Sequence, residues 1–168
     1  LDAQIHRPRP ISVGDLLEEL EISATLEAKA RGLELHVTRV PPDLYVLGDR
    51  PLLASAMANL LQNAMKFTHP SSTVKLRARS TETQVFLDVD DECGGVPEDK
   101  LERLFQPFEQ HGHDMSGVGL GLPISRRAVV ANGGELVFRN RPGIGCTFTA
   151  VLPRVAAPKE RHTGASCP

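Results

Sequence analysis

The chain has 168 residues, of which 40% are hydrophobic and 24% charged, with a formal net charge of −2 at pH 7. This composition is that of one ordinary folded domain and excludes both wholesale disorder and a membrane-embedded chain. The near-neutral charge, without a basic stripe, argues against nucleic acid as a partner. Three cysteines, Cys93, Cys146 and Cys167, form no CxxC pair and no cluster with zinc-ligand spacing, which favours a reducing compartment over a disulfide framework.

From its start, the chain is expected to be a piece of a longer protein. The sequence begins at Leu1 with neither Met nor a signal-peptide pattern. Residues 1–10 contain Pro8 and Pro10 and are expected to form an extended linker. From Arg154 onward the composition is that of a flexible tail or linker, so the folded domain is predicted to span residues 11–153.

The predicted elements follow from two periodicities. Helices are predicted where apolar residues recur at helical spacing: from a Ser12 cap to Gly32, from about Pro51 to Phe67 behind an Asp49 cap, from Lys100 to Phe105, and from Leu120 to Asn132. Strands are predicted where apolar and polar residues alternate: Leu33 to Val37, Leu44 to Leu47, Val74 to Ala78, Val85 to Val89, Glu135 to Asn140 and Cys146 to Leu152. The polar stretch from Gln110 to Gly117 has neither period and is predicted to be a loop.

The segment NLLQNAMKF, residues 59–67, gives the second helix an apolar face with a polar border. At about 100° per residue, the core-facing side takes Leu53, Met57, Leu60, Ala64 and Phe67, and the border takes Asn59, Asn63 and Lys66. The border is either a flank exposed to solvent or a row of polar side chains that faces a ligand. In the second case, it offers Asn oxygens to a hard cation such as Mg²⁺ and the Lys66 charge to a phosphate.

The segment DVDDECGGVP, residues 88–97, places a carboxylate at the end of a strand. Asp91 continues the parity of Val85, Leu87 and Val89, so it is predicted to point to the apolar side. A buried carboxylate needs a partner, which is either a structural donor or a ligand N–H. The Gly94-Gly95 pair that follows permits positive φ or close backbone approach.

The segment GVGLGL, residues 117–122, stands where the predicted loop meets the last helix. Unpaired N–H groups and glycines at a helix start favour an anion such as phosphate. No strand leads into it and the chain holds no GxxxxGK[ST], so it is neither a Rossmann fingerprint nor a P-loop.

In this order and spacing, the motifs resemble the catalytic, ATP-binding domain of sensor histidine kinases, in the GHKL superfamily. NLLQNAMKF resembles the N box, DDECGGVP the first glycine box, LFQPFEQ the F box and GVGLGL the second glycine box. The resemblance covers about Ile11 to Pro153. It implies a two-layer α/β (α+β) sandwich of the Bergerat type, with a mixed sheet packed on three helices, as in gyrase, Hsp90 and MutL.

The resemblance also implies a role for individual residues. Asn63 would be the Mg²⁺ ligand with Asn59 in support, Lys66 would contact a phosphate, and Phe67 would flank the adenine. Asp91 would accept from the adenine amine. Gly95 and Val96 would shape the base pocket, Thr147 would close it, and the phosphates would lie against Gly117, Gly119, Leu120 and Gly121. Gln110 to Ser116 would form the lid.

The implied activity is ATP-dependent phosphotransfer, with Asn63 and Lys66 as the catalytic side chains and ATP and Mg²⁺ as ligands. The phosphate acceptor would be a histidine on a separate dimerisation domain of the same or a sister chain. A response regulator receiver domain would be an indirect partner. The isolated domain is expected to be monomeric and cytoplasmic, without membrane contact, in a parent that is either membrane-anchored or not. Two departures from the family pattern, Cys93 at a usual glycine position and a lid without Lys or Arg, leave a nucleotide-binding regulatory module as an alternative. An anti-sigma-type serine kinase is the other.

Overall fold

The computed structural model describes residues 7–97, 99 and 118–159. The predicted helix from Lys100 to Phe105 and the predicted loop from Gln110 to Gly117 lie outside these ranges. Within them, no helix combines the length and the apolar character needed to cross a membrane.

Three helices are described. Helix α1 spans Val13–Ala30, α2 spans Arg50–Phe67 and α3 spans Val118–Ala131. The predicted caps are confirmed: Ser12 Oγ accepts from Asp15 N at 3.2 Å and Asp49 Oδ1 accepts from Leu52 N at 3.1 Å. Gly32, with φ at +68°, follows the end of α1 as a left-handed stop.

Seven strands form one mixed sheet. Their bounds are β1 Arg9–Ser12, β2 Glu34–Val37, β3 Tyr45–Gly48, β4 Thr73–Ser80, β5 Gln84–Asp90, β6 Glu135–Arg141 and β7 Gly145–Val155. The order is β1-β3-β7-β5-β4-β2, and β6 also pairs with β7. Only the β2–β4 pair is parallel among these neighbours.

The hydrophobic core lies between the helices and one face of the sheet. Alternate residues of β5 (Val85, Leu87 and Val89) are fully buried there, and α1 and α2 contribute leucines such as Leu16 and Leu60. This burial removes roughly 25 cal/mol of unfavourable hydration per Å² of apolar surface and holds α2 and α3 against the sheet. The predicted fold class, a two-layer sandwich of a mixed sheet and three helices, is confirmed.

The structure differs from the sequence-based bounds at both ends of the fold. Arg9 and Pro10 belong to β1, paired with Gly48 and Leu47, rather than to a linker. At the other end β7 continues to Val155, because its last residues pair with Tyr45 and Val46. Both corrections concern pairing between distant parts of the chain, which a local pattern does not reveal.

Candidate functional site

Asp91 lies directly after β5 and is buried, with 5% of its surface exposed, as its parity predicts. Its Oδ1 accepts hydrogen bonds from Cys146 N at 2.9 Å and Cys93 N at 3.2 Å, and its own N donates to Cys146 O at 2.9 Å. The backbone of β7 therefore fixes the carboxylate through one oxygen. Both backbone donors use Oδ1, and a carboxylate has lone pairs for further donors.

The loop after Asp91 turns at its two glycines. Gly94 and Gly95 have φ at +87° and +90°, whereas Cys93 is not among the residues with positive φ. A Cβ at Gly95 would lie 3.2 Å from both Arg141 O and Asn140 Oδ1, so the glycine also allows the loop to approach the β6–β7 hairpin. The cysteine that replaces the usual first glycine consequently carries no left-handed strain.

Asn140 holds the next residue of this loop. Its side chain accepts from Val96 N at 3.0 Å and donates to Val96 O at 2.9 Å, which satisfies both backbone groups of one residue. Val96 also packs against the core. The predicted pocket residues Gly95 and Val96 are thus fixed against the end of β6, beside Asp91.

Thr68 joins this loop to α2. It is the C-cap of α2, it is buried, and its Oγ1 accepts from Glu92 N at 3.1 Å. Because Glu92 follows Asp91 directly, this bond sets the end of α2 beside the carboxylate.

The polar border of α2 contains one unsatisfied group. Asn63 and Asn59 are half-buried, and Asn63 Nδ2 is fully buried without a hydrogen-bond partner in the described part of the chain. Leaving such a group unpaired costs about 1–3 kcal/mol. A polar ligand at Asn63 would remove that cost.

The end of α2 departs from one prediction. Phe67 was expected on the core face, but 42% of its surface is exposed, and Leu61 and Met65 complete the buried face instead. Lys66 Nζ lies 5.9 Å from the centre of the Phe67 ring. Both side chains are therefore at the rim of the site, where a ligand can reach them.

Helix α3 brings the second glycine segment to α2. Gly119 and Leu120 lie in its first turn, and Gly117 is outside the described ranges. A Cβ at Gly121 would stand 3.2 Å from Asn63 Nδ2. Only a residue without a side chain allows this approach at no cost, so the two motifs meet at Asn63.

Two polar residues farther along α3 fix its position. Asn132, at its C-terminal end, accepts from Asp49 N at 2.7 Å and donates to Ala128 O at 2.7 Å. Ser125 Oγ donates to Ala56 O of α2 at 3.4 Å. These bonds set the axial position of the glycine turn relative to Asn63.

The structure corrects the placement of Thr147. Its hydroxyl donates to Asp90 Oδ1 at 2.5 Å on the sheet face opposite Asp91, where Arg77 Nε also donates to Asp90 Oδ2 at 2.6 Å. Strand residues alternate between faces, and Phe148 and Ala150 point inward, so Thr147 points outward. The β7 side chain beside Asp91 is Cys146, which sequence reasoning missed although that alternation indicates it.

The two cysteines next to Asp91 are in contact, with Cys93 Sγ 3.6 Å from Cys146 Sγ. Burial, together with a hydrogen bond to Asp91 and its charge, raises the pKa of Cys93. Burial and the charge of Asp91 also raise the pKa of Cys146. Both groups are therefore neutral thiols near pH 7.

Three residues of the site carry no sequence signal. Arg141 Nη2 donates to Asp91 O at 3.1 Å, and its Nε is buried without a partner in the described ranges. Asn140 and Thr68 act on residues far from them in the chain. The candidate site as a whole consists of the region around Asp91, Gly95 and Val96, and of the Asn63–Gly121 junction.

Comparisons with known proteins identify the family of this chain. Residues 48–156 match the family model described as histidine kinase-, DNA gyrase B- and HSP90-like ATPase. The chain is 35% identical over 148 residues to the sensor protein DivL of Caulobacter vibrioides, covering 88% of this chain and 19% of DivL. It is 38% identical over 121 residues to the sensor protein KdpD of Mycobacterium tuberculosis, covering 71% of this chain and 14% of KdpD.

A solved structure gives the same fold. The crystal structure of full-length ShkA in complex with AMPPNP superposes with a TM-score of 0.78 at 27% identity, over 95% of this chain and 33% of ShkA. This chain thus corresponds to a third or less of each of these longer proteins. It belongs to the histidine kinase-, DNA gyrase B- and HSP90-like ATPase family, as a catalytic ATP-binding domain of the sensor histidine kinase type.

Proposed function

We propose that this domain binds ATP with Mg²⁺ between α2, the loop after β5 and the start of α3, and transfers the γ-phosphoryl group to a histidine on a separate domain. The observation that carries the proposal is the Asn63–Gly121 junction. There a buried amide of α2, without a partner among the described residues, meets a glycine in the first turns of α3. This junction brings the polar side chains of α2 to the N-terminus of α3, and helix N-termini bind phosphates.

At the base end, Asp91 Oδ2 accepts from the exocyclic amine of adenine. The two backbone donors on Oδ1 keep the carboxylate in place before the ligand arrives, so little reorganisation is needed. Gly95 and Val96 form the wall beside it, held by Asn140.

At the phosphate end, Gly119 and Gly121 keep the first turns of α3 free of side chains, so that backbone N–H groups are open to phosphate oxygens. Lys66 adds a positive charge at the rim. The amide oxygens of Asn63 and Asn59 fit a hard cation, and a Mg²⁺ ion bound there would neutralise charge on the phosphates. Asn63 and Lys66 would thus position the γ-phosphoryl group and stabilise its charge during transfer.

The phosphoryl acceptor lies elsewhere in the parent protein. We propose a histidine on a dimerisation domain of the same or a sister chain, with a response regulator as the later acceptor. Because ATP is the proposed substrate, we also propose that this domain is cytoplasmic. The relatives named above are sensor proteins, which favours histidine over serine as the acceptor. Cys93 offers little support to the regulatory alternative, since its backbone is unstrained.

Calorimetric titration of the 168-residue chain with ATP, with and without Mg²⁺, tests the binding site. Asp91→Asn should lower the affinity at least tenfold, because a charge-assisted hydrogen bond is worth about 1.5–3 kcal/mol. Asp90→Asn is the matched control, since Asp90 is the preceding buried carboxylate and points to the other face. Equal affinities in the two variants would refute the assignment of Asp91.

Two variants and a chemical assay test the remaining steps. Asn63→Ala should remove the dependence of ATP binding on Mg²⁺, and an unchanged dependence would place the metal elsewhere. The parent protein, incubated with γ-labelled ATP, should hold the label in an acid-labile, base-stable bond. A base-labile, acid-stable label would indicate a serine acceptor and contradict the proposal.

A further inference from the structure

A second set of ligand atoms lies beside the base end of the site. Cys93 Sγ, Cys146 Sγ and a carboxylate oxygen of Asp91 are all within 4.8 Å of one another. The two cysteines are 53 residues apart in the chain, so the fold and not a sequence motif brings them together. The spacing of these cysteines in the sequence therefore does not indicate a shared metal site.

The three residues are held by backbone bonds. Cys146 N and Cys93 N both donate to Asp91 Oδ1, Asp91 N donates to Cys146 O, and Gly94 N donates to Ile144 O at 3.0 Å. These bonds tie the loop after β5 to the start of β7 on both sides of the thiol pair. The ligand set is thus pre-organised before any ion arrives.

The distance between the sulfur atoms is compatible with two ligands of one metal ion. Two thiolates about 2.3 Å from a tetrahedral zinc ion stand about 3.8 Å apart. The 3.6 Å between Cys93 Sγ and Cys146 Sγ is close to that value. A disulfide has an S–S distance of about 2.05 Å, so the pair in the structure is two reduced thiols in contact.

The donor types select the ion. Two sulfur ligands and one carboxylate suit a borderline or soft divalent cation, whereas Mg²⁺ prefers oxygen ligands alone. Three protein ligands leave a fourth position for water. Cys93 is half-buried, so the site has an approach from the loop side, and Cys146 lies beneath it.

We propose that Asp91, Cys93 and Cys146 form a binding site for a thiophilic divalent cation such as Zn²⁺, and that this ion and ATP exclude each other. Binding exchanges two thiol protons for the ion: one Zn²⁺ and two SH groups give one Zn(S)₂ unit and two protons released to solvent. The exclusion rests on the proposed function, in which Asp91 accepts from adenine. A cation coordinated by the Asp91 carboxylate neutralises its charge, so that the carboxylate becomes a much poorer acceptor for the adenine amine.

The test of the metal site uses the full chain carrying Cys167→Ser, kept reduced with a phosphine. Titration with Cd²⁺, followed by thiolate-to-metal absorption, should reach one equivalent, and Zn²⁺ should displace Cd²⁺. Cys93→Ser and Cys146→Ser should each weaken binding at least tenfold, while Asp88→Asn leaves it unchanged. Circular dichroism checks the fold, and Cys93→Ser, at the half-buried position, keeps the test valid if Cys146→Ser unfolds.

Two results would overturn the metal site: no Cd²⁺ uptake, or uptake that both serine variants retain. The exclusion is measured separately, by titrating ATP at buffered free Zn²⁺. When the free Zn²⁺ concentration is ten times the dissociation constant of the zinc site, competition should weaken ATP binding about tenfold. Tripolyphosphate, which chelates zinc but has no base, is the control for loss of metal to the phosphates.

The Cd²⁺ and ATP titrations together separate the metal site from the proposed function. If the zinc-free chain fails to bind ATP while Cd²⁺ binds, the proposed function fails and the metal site stands. If ATP affinity is the same with and without zinc, the exclusion is refuted.

Discussion

Gly145 is the residue at which a single methyl group should damage the site most. It begins β7 and packs against the backbone of Asp91: a Cβ there would lie 2.7 Å from the Asp91 carbonyl carbon, closer still to the carbonyl oxygen, and 3.0 Å from Oδ1. Ordinary contact begins at 3.4 Å. Gly145→Ala must therefore move Asp91 and β7 apart by at least about 0.7 Å.

That movement is larger than the neighbouring hydrogen bonds tolerate. The Asp91 N to Cys146 O and Cys146 N to Asp91 Oδ1 distances are both 2.9 Å, and the same displacement would take them beyond the usual limit of about 3.2 Å. Overpacking typically costs about 1–3 kcal/mol. For a domain of this size that corresponds to a Tm lower by roughly 3–10 °C. Loss of a well-placed Asp91 should also weaken ATP binding at least about tenfold.

Gly143→Ala is the matched control, two residues away in the same hairpin. Gly143 has φ at +77° and nothing within 4 Å of a Cβ, so alanine there adds about 1–2 kcal/mol of backbone strain without touching Asp91. Differential scanning calorimetry and ATP titration of both variants give the comparison. We expect lower stability in both and lower affinity only in Gly145→Ala. Equal ATP affinities would refute the reasoning.

Two further predictions concern stability. Asn132→Ala leaves Asp49 N without its acceptor, so urea unfolding should show a loss of about 1–3 kcal/mol, and a smaller loss would mean that water replaces the amide. For Asp88, burial acts to raise the pKa, but hydrogen bonds from Arg79 and Thr149 outweigh it and hold the pKa below its usual range. Its contribution to the free energy of unfolding is full above the unfolded pKa of about 3.9 and is lost as the pH falls through the folded value. The difference in that free energy between wild type and Asp88→Asn should accordingly shrink in acid, and a difference that is constant down to pH 3 would contradict this assignment.

Local periodicity was sufficient for most elements of the fold. In β4 and β5 apolar residues recur at every second position on the core face, and the predicted bounds lie within two residues of those in the structure. β1 was missed because Pro8 and Pro10 argue against a strand. Proline is nevertheless tolerated at a sheet edge, and β1 is an edge strand paired only with β3.

The site was predictable only where its residues belong to contiguous segments. Asp91 and the two glycines after it stand in one run, so their burial and turn follow from the alternation and from glycine chemistry. Asn140 clamps Val96 from 44 residues away, and Arg141 reaches Asp91 from 50 residues away. Such contacts are made by the packing of the β6–β7 hairpin on the loop, and no local pattern records them.

The three carboxylates at the end of β5 explain why Asp91 is available to a ligand. Asp88 and Asp90 point to the outer face of the sheet, where Arg79 and Arg77 pair with them at 2.6 Å. Asp91 continues the alternation to the inner face, and within the described ranges no Lys or Arg pairs with its carboxylate. Arg141 donates to its carbonyl oxygen instead. Two of the three charges are therefore neutralised within the protein. The third is held by backbone N–H groups and by the Cys93 thiol, which stabilise it while leaving it able to accept from an adenine amine or to coordinate a cation.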